Sequence, residues 1–152
     1  MELRNYLDEH GAKYQWLSHP TAITSQELAQ VEHTSGHNVA KPVVVKADDR
    51  FIMCVLPASR RVDLDQLRKE LRAQQVALAS EMQLHDVCEG CELGAEPPIG
   101  ELFGLPTLIE QSLTADKEVL FQAGTHQEAV RMSFDEYRKL VGGSVAKFAR
   151  PA

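Results

Sequence analysis

Apolar side chains recur along the chain at two spacings, one typical of helices and the other of strands. Leu3, Tyr6 and Leu7 fall on one face at helical spacing, which predicts a short amphipathic helix over 2–10. Three further helices are predicted to begin after the capping residues Thr24, Asp63 and Ser133.

β-Branched and apolar residues crowd both sides of Asp48-Asp49, which predicts a hairpin with arms over 42–47 and 50–56. Shorter strands are predicted over 13–18, 76–78, 106–109, 118–122 and 129–132, and the strand over 76–78 is expected to be buried. Because helices and strands are interspersed without regular β–α alternation, the sequence predicts an α+β fold with a mainly antiparallel or mixed sheet. No internal repeat or linker divides the chain, so residues 1–152 are expected to form one domain.

The apolar periodicity disappears between residues 86 and 105, where glycines, prolines and two cysteines prevail. Long irregular loops of this kind inside a compact domain are usually functional. Within the loop, segment 94–100 combines glycines, which free the backbone, with Pro97-Pro98, which fix it and remove two amide donors. Such a rigid loop can aim its remaining amides at an ester or phosphate oxygen, although an isolated Gly/Pro loop is more often a structural turn.

Composition and charge narrow the classes of protein. With 43% hydrophobic and 25% charged residues, the chain has the composition of an ordinary globular protein. Its apolar runs are far shorter than the ~20 residues that a membrane span needs, and its N-terminus lacks an export signal, so we expect a cytoplasmic protein with no membrane partner. A net charge of −6 argues against a protein that coats nucleic acid through bulk electrostatics, but it leaves room for a local cationic pocket.

Basic residues gather in two places. Lys41 and Lys46 lie around the first arm of the hairpin, and a second group follows the second arm: Arg60, Arg61, Arg68, Lys69 and Arg72. Lys41 stands directly before the apolar strand, where its ammonium can meet a phosphate as a point charge, although a lysine at a strand end is usually only solvated. His126 lies in a predicted turn, where an imidazole is a donor, an acceptor or a plain surface residue.

Cys88 and Cys91 form a Cys-x-x-Cys pair, which raises a redox and a zinc alternative. The pair lies in an irregular loop and not at the start of a helix after a strand, the context that lowers a thiol pKa in thioredoxin-like proteins. A closed zinc site needs four ligands; His85 offers a third, and no fourth is apparent nearby. We therefore expect no metal and no cofactor, and we interpret the pair as two loop cysteines near the core.

Five stretches in a fixed order carry a family resemblance: residues 19–29, 40–45, 55–58, 91–100 and 123–126. Together they resemble the YbaK/aminoacyl-tRNA synthetase-associated domain family, which comprises freestanding editing proteins and editing domains inserted in bacterial prolyl-tRNA synthetases. The resemblance implies a compact α+β domain with a central, mostly antiparallel, barrel-like sheet and flanking helices. It also implies hydrolysis of the ester that joins an amino acid to the 3′ terminal adenosine of a mischarged tRNA.

Site residues follow from the same resemblance. Lys41 matches the family lysine that holds the terminal phosphate, the segment from Gly94 to Pro98 matches a glycine-x-x-x-proline loop whose amides hold the ester carbonyl, and His126 matches a histidine beside the substrate. The implied catalytic residues are thus Lys41, Gly94, Pro98 and His126, and the implied substrate-binding residues are Lys41, His19, Thr24, Ala95 and Gly100. Pro42 is a departure, because some relatives have a polar residue after the lysine.

A second function, from a different class, stays open at this point. A non-catalytic module that binds tRNA or docks on a synthetase would also explain an acidic chain whose motifs contain no side-chain acid–base pair. The chain lacks a nucleophile elbow, a Walker loop, a dinucleotide fingerprint and a His-Glu-x-x-His run. Under both hypotheses the expected partner is the 3′ acceptor end of an aminoacyl-tRNA, and an aminoacyl-tRNA synthetase is a second candidate.

Overall fold

A computed structural model describes residues 2–151, in which α-helices flank three sheets. The α-helices are α1 (Leu3–Glu9), α2 (Ser25–Val31), α3 (Leu64–Leu71), α4 (Glu81–Val87) and α5 (Phe134–Val141). The strands are β1 (Gln15–Ser18), β2 (Ala40–Ala47), β3 (Arg50–Pro57), β4 (Arg60–Val62), β5 (Val76–Leu78), β6 (Thr107–Glu110), β7 (Glu118–Gln122), β8 (Glu128–Ser133), β9 (Ser144–Ala146) and β10 (Ala149–Pro151). Within this described range, no helix is long and apolar enough to cross a membrane.

The strands pair in the orders β1-β8-β7, β10-β4 and β5-β2-β3-β6-β9. Strand β6 is parallel to β3 and β9, and the other paired strands are antiparallel. The α+β class and the mixed, mostly antiparallel pairing are therefore confirmed. The barrel-like sheet needs correction, because the sheets do not close. An isolated parallel bridge joins Val39, the residue before β2, to Leu120 of β7, and no continuous ladder connects these two sheets.

The helix caps form as the sequence predicts. The side chains of Thr24, Asp63 and Ser133 each accept a hydrogen bond from the backbone N–H three residues later. Strand β5 is not buried as expected, and Leu78 is 56% exposed, because β5 pairs on one side only, with the end of β2. Strands β4, β9 and β10 were not predicted, since each spans three residues and is too short to show a pattern.

Apolar side chains pack in three clusters that meet around β2. The first includes Tyr137 of α5, the second joins α2 to β7, and the third packs α3 against the β2–β3 hairpin. Val39 belongs to the α2 cluster, Val44 to the Tyr137 cluster and Val45 to the α3 cluster. Strand β2 is therefore fixed from several sides, and so is the backbone of Lys41.

The buried carboxylate of Glu110 ties the C-terminal strand to the sheet. Its Oε1 accepts the N–H groups of Phe148 (3.2 Å) and Ala149 (3.4 Å), and its Oε2 accepts the amide (2.6 Å) and the hydroxyl of Ser112. Burial raises the pKa of Glu110, but these hydrogen bonds outweigh burial, so its pKa lies below the ordinary value of 4.5.

Replacing this carboxylate by an amide, Glu110→Gln, is expected to lower the free energy of unfolding by about 1–3 kcal/mol at pH 7, because one acceptor oxygen is lost to buried donors. The folded pKa is depressed, so the contribution of the carboxylate is present above pH 4.5 and is lost as the pH falls through the folded pKa. Urea unfolding at pH 7 and at pH 3 measures this effect. A difference between the variant and the unmodified protein that stays equal at both pH values would contradict it.

Candidate active site

Lys41 is held by the hairpin ladder, where it lies opposite Leu56 of β3. The Ala58 N–H donates to the Val39 carbonyl at 2.8 Å, so alternate residues starting at Val39, Lys41 included, exchange ladder hydrogen bonds with β3. Pro42 therefore turns its backbone towards the other edge of β2. A proline is tolerated there because its missing N–H leaves no ladder hydrogen bond unmade.

The ammonium of Lys41 is partly buried and has no carboxylate partner. Burial lowers the pKa of Lys41, since desolvation penalises the charged form. In residues 2–151 the ion pair within 4.0 Å joins His37 to Asp116, and no Asp or Glu lies that close to the Lys41 Nζ. A desolvated ammonium without a counter-charge is able to bind an external anion.

Strand alternation places Lys41 on the side of the sheet that faces α2. Val39 and Leu120 form the parallel bridge, and both belong to the α2 cluster. Two residues further along each strand, Lys41 and Gln122 therefore lie on that same side. Gln122 is buried; its Nε2 donates to the Ala22 carbonyl at 2.8 Å, and its Oε1 has no partner in the described part of the chain.

Nearly all backbone N–H groups of the loop from Gly94 to Gly100 donate to acceptors within the protein. The engaged amides and their acceptors are Gly94 with Glu96 Oε1 (3.0 Å), Ala95 with the Glu92 carbonyl (2.9 Å), Ile99 with the Pro97 carbonyl (2.8 Å) and Gly100 with Thr107 Oγ1 (2.9 Å). The two prolines have no N–H. The Glu96 amide is thus the loop N–H that has no acceptor within residues 2–151.

Contacts from other elements hold this loop in one conformation. The fully buried Tyr137 donates its hydroxyl to the Pro98 carbonyl, and the Gly124 N–H donates to the Ala95 carbonyl at 2.8 Å. Gly94 has a φ of +87°, which a residue with a Cβ rarely adopts. The loop therefore presents its free amide in a fixed direction.

The loop reaches the open edge of β2. Glu96 lines a cavity of 180 Å³ together with Pro42, Val43 and Val44, and further lining comes from Leu78, Ala79 and Leu84. Lys41 precedes this lining by one residue. The structure thus brings the strand of Lys41 and the glycine-proline loop together at one sheet edge.

His126 is buried and connects three segments. Its Nε2 lies 2.9 Å from the Leu93 carbonyl and its Nδ1 lies 3.2 Å from the Ala22 carbonyl. Its backbone N–H donates to the Glu92 carboxylate at 2.9 Å, and its backbone carbonyl accepts the Ala22 N–H at 2.9 Å. Because both ring nitrogens face protein carbonyls, the arrangement suits a positioning group better than a group that exchanges protons with a ligand.

The other predicted substrate-binding residues have diverse surroundings. His19 is buried, its Nδ1 lies 2.6 Å from the Pro20 carbonyl, and its Nε2 has no partner within residues 2–151. Thr24 is exposed and uses its hydroxyl to cap α2. Ala95 is fully buried, and Gly100 lies buried at the far end of the loop. Of these four, His19 keeps a polar side-chain atom without a partner.

Sequence reasoning gave no role to Glu92, Glu96, Gln122 or Tyr137. A signal for the first two exists, because a carboxylate near a glycine-rich turn can accept backbone amides of that turn. Gln122 and Tyr137 act on segments distant in sequence, and only the fold brings them there.

Cys88 and Cys91 lie near Glu96. Burial raises the pKa of Cys88 to about 12 and that of Cys91 to about 11, and the negative charge of Glu96 adds to both shifts. Raised thiol pKa values disfavour the reactive thiolate. Among the described residues, no third histidine, cysteine or carboxylate joins them in a group able to hold a metal. The redox and zinc alternatives therefore gain no support from this geometry.

Fold and site together define an α+β domain in which the strand that carries a partly buried, unpaired lysine runs beside a rigid loop with one free amide. The sequence profile of the aminoacyl-tRNA editing domain family matches residues 19–140, which is most of the chain. The protein belongs to this family. No curated protein sequence matches it.

Solved structures share the fold at low sequence identity. The crystal structure of hypothetical protein APE2540 superposes with a TM-score of 0.90 at 18% identity, over 99% of this chain and 100% of that chain. A "putative trans-editing enzyme for prolyl tRNA synthetase" gives a TM-score of 0.84 at 22% identity, over 97% and 94%. A scaffold protein from epitope backbone grafting gives 0.83 at 22% identity, over 97% and 95%. These likenesses show the fold.

Proposed function

We propose that this protein hydrolyses mischarged aminoacyl-tRNA in trans, by cleaving the ester at the 3′ terminal adenosine. Membership of the editing-domain family supports the substrate class, and the fold shared with the protein described as a trans-editing enzyme is consistent with it. One observation carries the proposal: Glu96 of the Gly94–Gly100 loop lines a cavity at the open edge of β2 together with Pro42, the residue that follows Lys41.

Lys41 binds the substrate and does not act as a base. Its ammonium takes a phosphate of the terminal nucleotide, which supplies the counter-charge that the fold withholds. Gripping one phosphate at the acceptor end does not require a cationic surface, so the net charge of −6 is compatible with this role.

The Glu96 amide polarises the ester carbonyl. The Gly94 amide is already bound by the Glu96 carboxylate, so the free donor of the loop lies two residues beyond the glycine. A preorganised amide of this kind stabilises the oxyanion that develops when water attacks the carbonyl carbon, and removal of one such donor typically costs about 10²–10³-fold in rate. Gly94 and Pro98 shape the loop that aims this amide.

Hydrolysis by this site needs no nucleophile from the protein. An aminoacyl ester is already activated, so a positioned water adds to the acyl carbon, the bond to the ribose oxygen breaks, and the proton of the water passes to that oxygen. A neighbouring ribose hydroxyl of the substrate can relay this proton. His126 contributes by holding the backbone of Leu93, which precedes the loop glycine, and the backbone of Ala22.

Incubation with a panel of mischarged tRNAs tests the proposal. With enzyme in excess, at least one aminoacyl ester should disappear well above its spontaneous rate, and the same tRNA correctly charged should be spared. Binding of tRNA with an unchanged ester lifetime across the panel would refute hydrolysis and would favour the non-catalytic module. No binding and no hydrolysis would defeat both.

A further inference from the structure

A second cationic feature lies beyond the Lys41 site, on the two-stranded ribbon formed by β4 and β10. Arg61 and Arg150 stand directly opposite each other in its antiparallel register, and both are exposed. Arg60 begins β4, and the exposed Lys147 precedes β10 by two residues. These four residues, Arg60, Arg61, Lys147 and Arg150, are called the basic ribbon below.

The basic ribbon forms no close ion pair within residues 2–151. Within residues 2–151, none of its side chains has a carboxylate within 4.0 Å. Glu110, which lines a groove of 380 Å³ with Arg60 and Lys147, already accepts four hydrogen bonds. The groove around Arg150 holds acidic and basic side chains in equal number: Asp63, Asp65 and Glu70 against Lys69, Arg72 and Arg150.

Like charges directly opposite across two strands are destabilising, so the Arg61–Arg150 pair adds nothing to the stability of the ribbon. Strand side chains alternate between faces, so Arg61 and Arg150 share one face of the ribbon and Arg60 lies on the other. In a chain with a net charge of −6, the Arg61–Arg150 pair, without a carboxylate within 4.0 Å, is complementary to an anion. Two adjacent arginines suit an array of phosphates, because each guanidinium can bind phosphate oxygens bidentately.

The basic ribbon is rigidly connected to the Lys41 site. Leu56 is the ladder partner of Lys41, and Arg60 follows it by four residues, so at most about 14 Å of extended chain separates the two. Ala58, in the middle of this connection, donates its N–H to the Val39 carbonyl and accepts the side-chain amide of Gln26 at 3.2 Å. A polyanion held at Lys41 can therefore continue onto the ribbon.

We infer that the basic ribbon binds backbone phosphates of the tRNA acceptor end, upstream of the nucleotide held at Lys41. The inference rests on the proposed function, which places the terminal nucleotide. Phosphate contacts carry no sequence information, so the ribbon provides affinity for acceptor ends in general and leaves discrimination to the acyl pocket.

Charge reversal in the double variant R61E/R150E tests the inference, with R138E/K139E as the matched control, since it makes the same charge change on two exposed residues of α5. Deacylation is compared on full-length aminoacyl-tRNA and on the aminoacyl ester of the CCA trinucleotide. The ribbon variant should raise KM for the full-length substrate at least tenfold and lower the preference for full-length over trinucleotide substrate by the same factor. Its KM should also depend less on salt, because each lost phosphate contact removes about 0.7–0.9 from the slope of log affinity against log salt.

An equal loss in R138E/K139E, or an unchanged preference in the ribbon variant, would overturn the inference. Thermal melting of each variant shows whether it is folded, and R61Q/R150Q should give a smaller effect of the same sign. If the unmodified protein deacylates nothing, the proposed function fails, and the ribbon is then judged separately by its affinity for uncharged tRNA. Weaker binding by R61E/R150E than by R138E/K139E would support the ribbon even so, and equal binding would refute it.

Discussion

Lys41→Met is expected to reduce deacylation of mischarged tRNA by about 100-fold or more while the melting temperature stays the same or rises. The activity falls because a charge-assisted contact to phosphate is lost and the ester shifts from the loop amide; a misplacement of about 1 Å can itself cost about 10²-fold. The stability does not fall, because the ammonium is desolvated without a carboxylate partner and methionine fills similar space.

The pH dependence of stability has a definite sign at this residue. The folded pKa of Lys41 is lowered, so the native state binds fewer protons than the unfolded state; the cost of burying the ammonium is full below the folded pKa and disappears as the pH rises from there towards 10.5. Melting curves between pH 7 and pH 10 should therefore show a smaller stability advantage of Lys41→Met at high pH.

Lys46→Met is the matched control for this experiment, since Lys46 is an exposed lysine on the same strand. It should leave the deacylation rate within about twofold of the original, as expected for a solvated surface charge. Retention of more than half of the activity by Lys41→Met would show that the phosphate role of this lysine is wrong. A clear fall in the melting temperature of Lys41→Met would show that the folded protein stabilises the charged ammonium through its own groups.

Gly100→Ala is expected to cause the largest loss of stability, about 3 kcal/mol. A Cβ at this position would lie 2.5 Å from both the Leu105 carbonyl oxygen and Thr107 Oγ1, and a backbone oxygen cannot move aside cheaply. Overpacking a tight site typically costs about 1–3 kcal/mol, and here the hydrogen bond from the Gly100 amide to Thr107 is strained as well. For a chain of this size the melting temperature should fall by roughly 6–12 °C.

Gly36→Ala serves as the control, because its new Cβ would meet Ser59 at an ordinary 3.8 Å. Thermal unfolding of both variants gives the comparison, and deacylation per folded molecule shows whether the loop has also moved. We expect activity to fall in Gly100→Ala, since the loop that carries the Glu96 amide ends at this glycine. Equal melting temperatures for the two variants would contradict the tight packing around Gly100.

The sequence predicted elements whose signals are local. Caps such as Thr24 and Ser133 depend on side chains three residues apart, and the hairpin around Asp48 depends on a turn between two β-branched runs, so each is visible in a short window. Strands β9 and β10 are different, because β9 is positioned by β6 and β10 by β4. Three residues whose pairing is set by distant strands carry no periodicity of their own.

In the candidate site, too, local features could be predicted and long-range contacts could not. The order of motifs located Lys41 and the Gly94–Gly100 loop in sequence, and the fold places the loop at the edge of the lysine strand. Which amide stays free could not be predicted, because it depends on the Glu96 side chain folding back onto Gly94. The contacts of both His126 ring nitrogens with backbone carbonyls could not be predicted either, because Ala22 and Leu93 lie 104 and 33 residues away in the chain.

The change of neighbours along β2, which meets β7 at its start and β5 at its end, has a kinetic consequence. Between these two contacts the edge of β2 is unpaired. Pro42 has no N–H to donate, so it disfavours the pairing of another strand with this edge. A ligand can bind at this unpaired edge without the unfolding of any segment, so little conformational entropy is lost on binding. The association rate of the substrate should then be set by diffusion and by the orientation needed for docking, with no slow closing step.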